Sequence, residues 1–332
     1  MISWVIIASL GLALNPQCKS IKPENDVTPG VVNTYGQLSV REGYVVNQYG
    51  DAVSLEGMSL FWSQWEEGKK YYNYHCLKWL RDDWNCEIIR AAMGVEGNAY
   101  LKNPKREKAK ITRVIEACID LGMYVIADWH AHYAEEHTAE AVAFFSEIAE
   151  KYGEFPNLIY EIYNEPLRVS WKEDLVPYME EVISAIRQHD PDNIIIVGSP
   201  FWSQNVDEVA DDPLDFNNIA YSVHFYAAIH KQWLRDKAQI AIDSGLTLWV
   251  SEFGTCKANG DGEIDYEEME LWFDFMEKYK ISWCNWSVTD KEETSAILKP
   301  GGSRKGGWNE NDLSASGRYI RKKMKDINAR PY

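Results

Sequence analysis

The sequence has no Cys-x-x-Cys pair, no internal repeat and no low-complexity segment. Without cysteines at metal-ligand spacing, a structural zinc site is not what organises the chain. A glycine-rich phosphate loop is also missing: Gly301-Gly302 and Gly306-Gly307 come after the last strand pattern and read as a surface loop. The acidic stretch Asp261-Gly262-Glu263-Ile264-Asp265 lacks the ligand spacing of an EF-hand. Basic residues are in deficit, 34 Lys and Arg against 51 Asp and Glu for a formal charge of −17. That balance argues against nucleic acid as a partner and suits a neutral or cationic ligand, although acidity also serves plain solubility. Long apolar runs are scarce too. The run from Ile2 to Leu14 is too short to span a bilayer and is about as long as the core of an export signal, without the usual basic flank. Of the six cysteines, Cys86, Cys118 and Cys284 sit in apolar patterns typical of buried thiols. Cys76 and Cys86 could pair, but their separation suits opposite ends of one helix better.

What is present fits one catalytic domain behind a leader. A length of 332 residues with 45% hydrophobic and 26% charged residues is ordinary for an α/β barrel. Residues 1–18 read as an export segment, with Cys18 as an alternative lipidation site, so a secreted, periplasmic or cell-surface location is expected. Residues 19–35, with Pro23, Pro29 and Gly30, read as a flexible linker, and residues 36–332 as the catalytic domain. Alternation around Leu38–Val40 and Tyr44–Val46 predicts a small hairpin that could plug the bottom of a barrel. Strand patterns follow at Ser54–Leu60, Cys86–Met93, Tyr124–His130, Leu158–Glu165, Asn193–Ser199, Ile219–Tyr226, Thr247–Phe253 and Ile281–Val288. Helical patterns lie between them at Tyr72–Trp84, Lys108–Leu121, Thr138–Tyr152, Lys172–His189, Lys231–Asp243 and Tyr266–Tyr279, with a last one at Ser316–Ile327 and a weak one at Val206–Ala210. Strand and helix alternating in this way predict a (β/α)8 TIM barrel.

In such a barrel the chemistry sits at the C-terminal ends of the strands. Those ends carry Arg90, Asp128-Trp129-His130-Ala131-His132, Asn164-Glu165-Pro166, His224-Phe225-Tyr226, Glu252 and Trp286. Each residue alone has a packing explanation; together they point to a site. Two carboxylates on different strands without a metal cluster suggest glycoside hydrolysis. Glu252 is then the nucleophile, kept ionised by Arg90 and the Tyr226 hydroxyl. Glu165 is the acid/base, with its pKa expected to be raised by partial burial and by the charge of Glu252. Asn164 would hold the sugar 2-hydroxyl, His130 and His224 would donate hydrogen bonds, and Trp286 would stack on the reacting sugar. A metal-dependent hydrolase using His130, His132 and His224 is the alternative of another class. The many aromatics, 14 Trp and 19 Tyr, are core filler or sugar platforms.

These residues, in this order and on these strands, resemble glycoside hydrolase family 5 of clan A, in its bacterial endo-β-1,4-glucanase (cellulase) branch. The resemblance runs from about Gly36 to Ile327 and includes Gly57-Met58-Ser59, Ile89-Arg90-Ala91-Ala92-Met93 and the stretch from Trp286 to Ala296. It implies a retaining hydrolase of internal β-1,4-glucosidic bonds that needs no cofactor or metal, acts on β-glucan as a monomer and has no membrane-spanning segment. It also implies that Trp65 stacks on a donor-side sugar and that Lys291 and Glu293 hydrogen-bond its hydroxyls. Mannanase or xyloglucanase activity on the same fold is the nearest alternative. The chain departs from many relatives at Phe61-Trp62, where they carry His-Gly, and at Gly94, where they carry Tyr. The donor-side cleft is therefore expected to differ in shape.

Overall fold

The computed structural model describes residues 30–329. The leader, Cys18 and residues 19–29 of the expected linker lie outside the described residues. A two-stranded antiparallel hairpin comes first, β1 (Ser39–Arg41) with β2 (Tyr44–Val46). The barrel strands follow: β3 (Glu56–Leu60), β4 (Ile88–Gly94), β5 (Tyr124–His130), β6 (Leu158–Glu161), β7 (Ile195–Val197), β8 (Ile219–Ser222), β9 (Phe225–Tyr226), β10 (Leu248–Gly254) and β11 (Ser282–Val288). All barrel pairings are parallel; β8 and β9 both pair with β10, and β11 pairs with both β10 and β3, which closes the ring. The result is a (β/α)8 barrel in which β8 and β9 are two pieces of one strand.

The two-residue period of the strands sorts the side chains into two cores. Ile89, Ala91, Met93, Val125, Ala127, Trp129, Leu158 and Tyr160 pack outward against the helices. Ile88, Tyr124, Ile126, Ile159, Ile196, Ala220, Trp249 and Cys284 fill the lower barrel together with Leu38 and Val45 of the hairpin. The hairpin thus covers the bottom of the barrel. Continuing the inward parity upward gives Arg90 above Ile88, Asp128 and His130 above Ile126, and Glu161 above Ile159. Below them the barrel is apolar; at their level it is charged.

Several expected boundaries move. The linker expected over residues 19–35 ends in a helix, Val31–Tyr35, whose Val31 and Tyr35 are buried in the lower core. This helix docks because Gly30 lies against Gly122, where a Cβ would come within 2.3 Å of the Gly122 carbonyl oxygen, and because Val32 N donates to that oxygen. The fourth barrel strand stops at Glu161 instead of Glu165. Beyond it Ile162 still packs outward, but Tyr163 does so as well, and that breaks the two-residue period. The helix expected at Lys172–His189 opens with a wide turn, Trp171–Leu175, before Val176–Arg187, because Pro177 has no N–H to donate. Cys76 and Cys86 are both buried free thiols. Among the described residues no helix is long and apolar enough to cross a membrane.

Candidate active site

One buried guanidinium organises the mouth of the barrel. Arg90 donates from Nη1 to Glu252 Oε2 (2.8 Å), from Nε to Glu161 Oε2 (2.6 Å) and from Nη2 to Asn164 Oδ1 (2.6 Å), and Nη2 also lies 3.0 Å from Asp128 Oδ2. A single cation therefore faces three carboxylates, and they share it unequally. Burial drives the Asp128 carboxyl well above its usual range despite Arg90, with Glu161 adding to the rise. Burial also pushes Glu161 upward, but Arg90 and His224 outweigh it and bring its pKa down to about 2. The other oxygen of Glu252, Oε1, accepts from the Tyr226 hydroxyl at 2.7 Å. Burial and the Glu252 charge keep that hydroxyl protonated. Arg90 takes the Asn164 amide oxygen, and among the described residues no acceptor meets the Asn164 NH2 group, which can donate.

Glu165 has different neighbours. His224 Nδ1 is 3.0 Å from Oε1 and His132 Nε2 is 3.3 Å from Oε2, so each carboxylate oxygen meets an imidazole. The raised pKa expected from the sequence is corrected here: burial does raise it, but the two histidines outweigh burial and hold the carboxyl below its ordinary value. Burial works against a charged His224 ring, yet Glu161 and Glu165 raise its pKa to about 9. Behind His224, Nε2 lies 2.9 Å from Ser251 Oγ, and Ser251 donates to Glu161 Oε1 at 2.6 Å. One atom each of Glu165, His224 and Glu252 lie within 4.8 Å of one another. This closeness fits retaining glycosidases, whose carboxyl groups sit about 5 Å apart.

The rest of the site forms a cleft of about 880 Å³. His130 Nδ1 is 2.7 Å from Asp128 Oδ2, and burial lowers the pKa of its ring to about 3, so the ring that shares this hydrogen bond is neutral. Its ring stacks on Trp286 at 5.2 Å and meets the edge of Trp62 at 4.1 Å. Trp286 is only 5% exposed but lines the cleft. Trp65, 52% exposed, Lys291 and Glu293 line it as well, and Lys291 is ion-paired to Glu293. Phe61 and Trp62 line one wall, and Gln64 fills the space left by Gly94, where a Cβ would meet its Oε1 at 2.0 Å. The cleft also contains Phe201 and Trp202, presented by a left-handed turn (φ 61° and 56°) with the Arg168 guanidinium 5.2 Å from the Phe201 ring.

The structure thus brings Arg90, His130, Asn164, Glu165, His224, Tyr226, Glu252 and Trp286 into one site, with Trp65, Lys291 and Glu293 along the cleft. Sequence reasoning missed Glu161, Ser251, Trp202 and the contact between His132 and Glu165. A charged residue inside the apolar strand Leu158–Tyr163 was the available signal for Glu161. The metal alternative needs His130, His132 and His224 to converge, and they do not: His130 turns to Asp128, while His132 and His224 take opposite oxygens of Glu165. Among the described residues, the donors close enough to share an ion are Glu165, His224 and Glu252, the groups already engaged in the site.

Residues 46–292 match the family model for cellulase, glycosyl hydrolase family 5. The chain is 50% identical over 252 residues to Endoglucanase Z of Dickeya dadantii, covering 75% of this chain and 59% of that protein. It is 45% identical over 282 residues to Endoglucanase A of Evansella cellulosilytica, covering 83% and 57%. The chain therefore spans less than two thirds of these relatives' own length. Among solved structures, the catalytic domain of Thermobifida fusca endoglucanase Cel5A superimposes with a TM-score of 0.85 at 34% identity, covering 89% of this chain and 99% of that one.

Proposed function

The chain belongs to glycosyl hydrolase family 5, and from that premise we propose that it is a retaining endo-β-1,4-glucanase, a cellulase that cuts internal β-1,4-glucosidic bonds of cellulose or β-glucan by double displacement. The observation that carries the reading is the close, asymmetric pair of carboxylates: Glu252 on Arg90 and Tyr226, Glu165 between two imidazoles. In the first step Glu252 attacks the anomeric carbon while Glu165 protonates the departing oxygen. In the second, Glu165 takes a proton from water as that water displaces Glu252. The free amide of Asn164 donates to the 2-hydroxyl, a contact that tightens in the transition state. Trp286 forms the floor under the reacting sugar. Trp65, Lys291 and Glu293 hold the next donor-side unit, and Phe201 and Trp202 offer faces on the acceptor side. The names of the endoglucanase relatives support a β-glucan substrate. Export of the enzyme, directed by residues 1–18, belongs to the same reading, since such polymers lie outside the cell.

The deciding experiment offers cello-oligosaccharides, barley β-glucan, mannan and xyloglucan to the purified protein and follows the anomer of fresh product by NMR. Fresh β-product from cellotetraose or mixed-linkage glucan is expected. Turnover of mannan or xyloglucan alone would move the substrate class, and fresh α-product would overturn the retaining mechanism.

A further inference from the structure

We propose that Glu161, acting through Ser251, is a positioning residue that fixes the tautomer of His224 and so makes Glu165 and His224 a pair that carries the catalytic proton together. The inference rests on the glycosidase reading above and deepens it. Its basis is a continuous chain of contacts: Glu165 Oε1 to His224 Nδ1 (3.0 Å), His224 Nε2 to Ser251 Oγ (2.9 Å), Ser251 Oγ to Glu161 Oε1 (2.6 Å) and Glu161 to Arg90 (2.6 Å), which in turn holds Glu252 (2.8 Å). Ser251, Glu161 and Arg90 are completely buried, and His224 is 1% exposed.

Hydrogen-bond directions follow from what each group can do. Ionised Glu161 only accepts, so the Ser251 hydroxyl hydrogen points at it. Ser251 Oγ must then accept from His224, which keeps a hydrogen on Nε2 whatever the ring's charge. One proton remains, and it lies on the line between Nδ1 and Glu165 Oε1. It is an N–H donating to a carboxylate in one form and an O–H donating to a neutral ring in the other. When the glycosidic C–O bond breaks, its electron pair stays on the departing oxygen and takes that proton. Glu165 is left ionised beside a bare Nδ1 lone pair until the attacking water returns a proton. This bare state is unfavourable, and relieving it by turning the Ser251 hydrogen towards His224 would strip Glu161 of its donor. The pair therefore holds its proton to higher pH than a lone carboxylic acid does, and the enzyme keeps its acid in alkaline solution. Other charged groups facing the pair are Glu252, Asp128, Arg90, His132 and His230. None of them touches His224 Nε2.

Ser251→Ala removes, with little change of volume, the hydroxyl that accepts from Nε2, and leaves Glu161 Oε1 facing Nε2 from 3.7 Å, too far to hold its hydrogen as firmly. The test measures kcat/KM against pH on cellotetraose, whose leaving group needs the acid, and on dinitrophenyl β-cellobioside, whose leaving group does not; for both substrates kcat/KM reports the first chemical step. We expect the basic limb on cellotetraose to move down by about one pH unit, the worth of one hydrogen bond to a charged group. Turnover of the activated substrate should stay near wild type. Glu161→Gln should move the same limb and also slow the activated substrate, because Arg90 loses its partner. An unmoved basic limb, or equal loss on both substrates, overturns the relay. A wild-type protein that turns over neither substrate would instead overturn the glycosidase reading beneath it.

Discussion

The gap between the ordinary imidazole value of 6.5 and the value of about 9 for His224 makes a claim about stability. A raised histidine stabilises the folded state fully below 6.5, and the contribution disappears as pH climbs through about 9. The size follows from the gap: about 3 kcal/mol, since each pH unit is worth roughly 1.4 kcal/mol. Glu161 sets the other edge. Lowered to about 2 from 4.5, it contributes above 4.5 and stops contributing as pH falls through about 2. The network is thus fully stabilising only between those windows. Urea unfolding of the wild type at constant ionic strength should lose stability from pH 6.5 to 10. Buried thiols and tyrosines will add to the loss, so the informative quantity is the difference from Glu165→Gln. That variant keeps the shape and removes one of the two anions holding His224. Its loss should begin at the same pH, since the unfolded value is unchanged, but be complete at a lower one and be smaller by about 2 kcal/mol, one hydrogen bond to a charged group. Superimposed stability curves for the two proteins across this range would refute the claim that Glu165 holds the proton on His224.

Glu252→Ala and Glu165→Ala should each lower kcat on cellotetraose by several orders of magnitude, with far-ultraviolet circular dichroism unchanged. Azide should rescue the Glu252 variant as a glycosyl azide of inverted configuration and the Glu165 variant as one of retained configuration, both read by NMR. Trp65→Ala removes a half-exposed platform from the cleft rim, and KM for cello-oligosaccharides should rise roughly fivefold, about 1 kcal/mol of stacking, with kcat little changed. Dialysis against EDTA should leave kcat/KM unchanged; loss of activity restored by zinc would reinstate a metal role for the Glu165–His224–Glu252 cluster.

Much of the fold was legible because two periodicities dominate it. Tyr124–His130, Thr138–Tyr152 and Tyr266–Tyr279 have the same ends in sequence and structure, since each is a long uninterrupted run in which burial and local preference agree. The fourth strand was read too long, because Ile162 and Tyr163 are β-favouring residues whose departure from the ladder is decided by the turn carrying Asn164 and Glu165. The Val31–Tyr35 helix was invisible for the opposite reason. Five residues have no helical period to show, and their ordering comes from Gly122, nearly a hundred positions away. Charge sharing around Arg90 was equally hidden: a sequence shows that Asp128, Glu161 and Glu252 exist but not that they surround one guanidinium.

The seventh barrel strand shows why a site of this kind resists a pattern reading. In β10, Trp249 points into the barrel and Val250 out, so strict alternation would turn Ser251 in, Glu252 out and Phe253 in. Phe253 instead packs outward, stacked on Phe225 at 5.0 Å, and the pairing with β11 slips between Val250 and Phe253. This local irregularity re-aims a side chain as a β-bulge does. It lets two consecutive residues serve the same interior: Ser251 reaches Glu161 at 2.6 Å and Glu252 meets Arg90 at 2.8 Å. A regular strand could deliver the nucleophile or the relay, but not both. The residue the alternation would send outward is the one the chemistry needs inside, so the interruption of the ladder is itself part of how the chain places a carboxylate opposite Glu165.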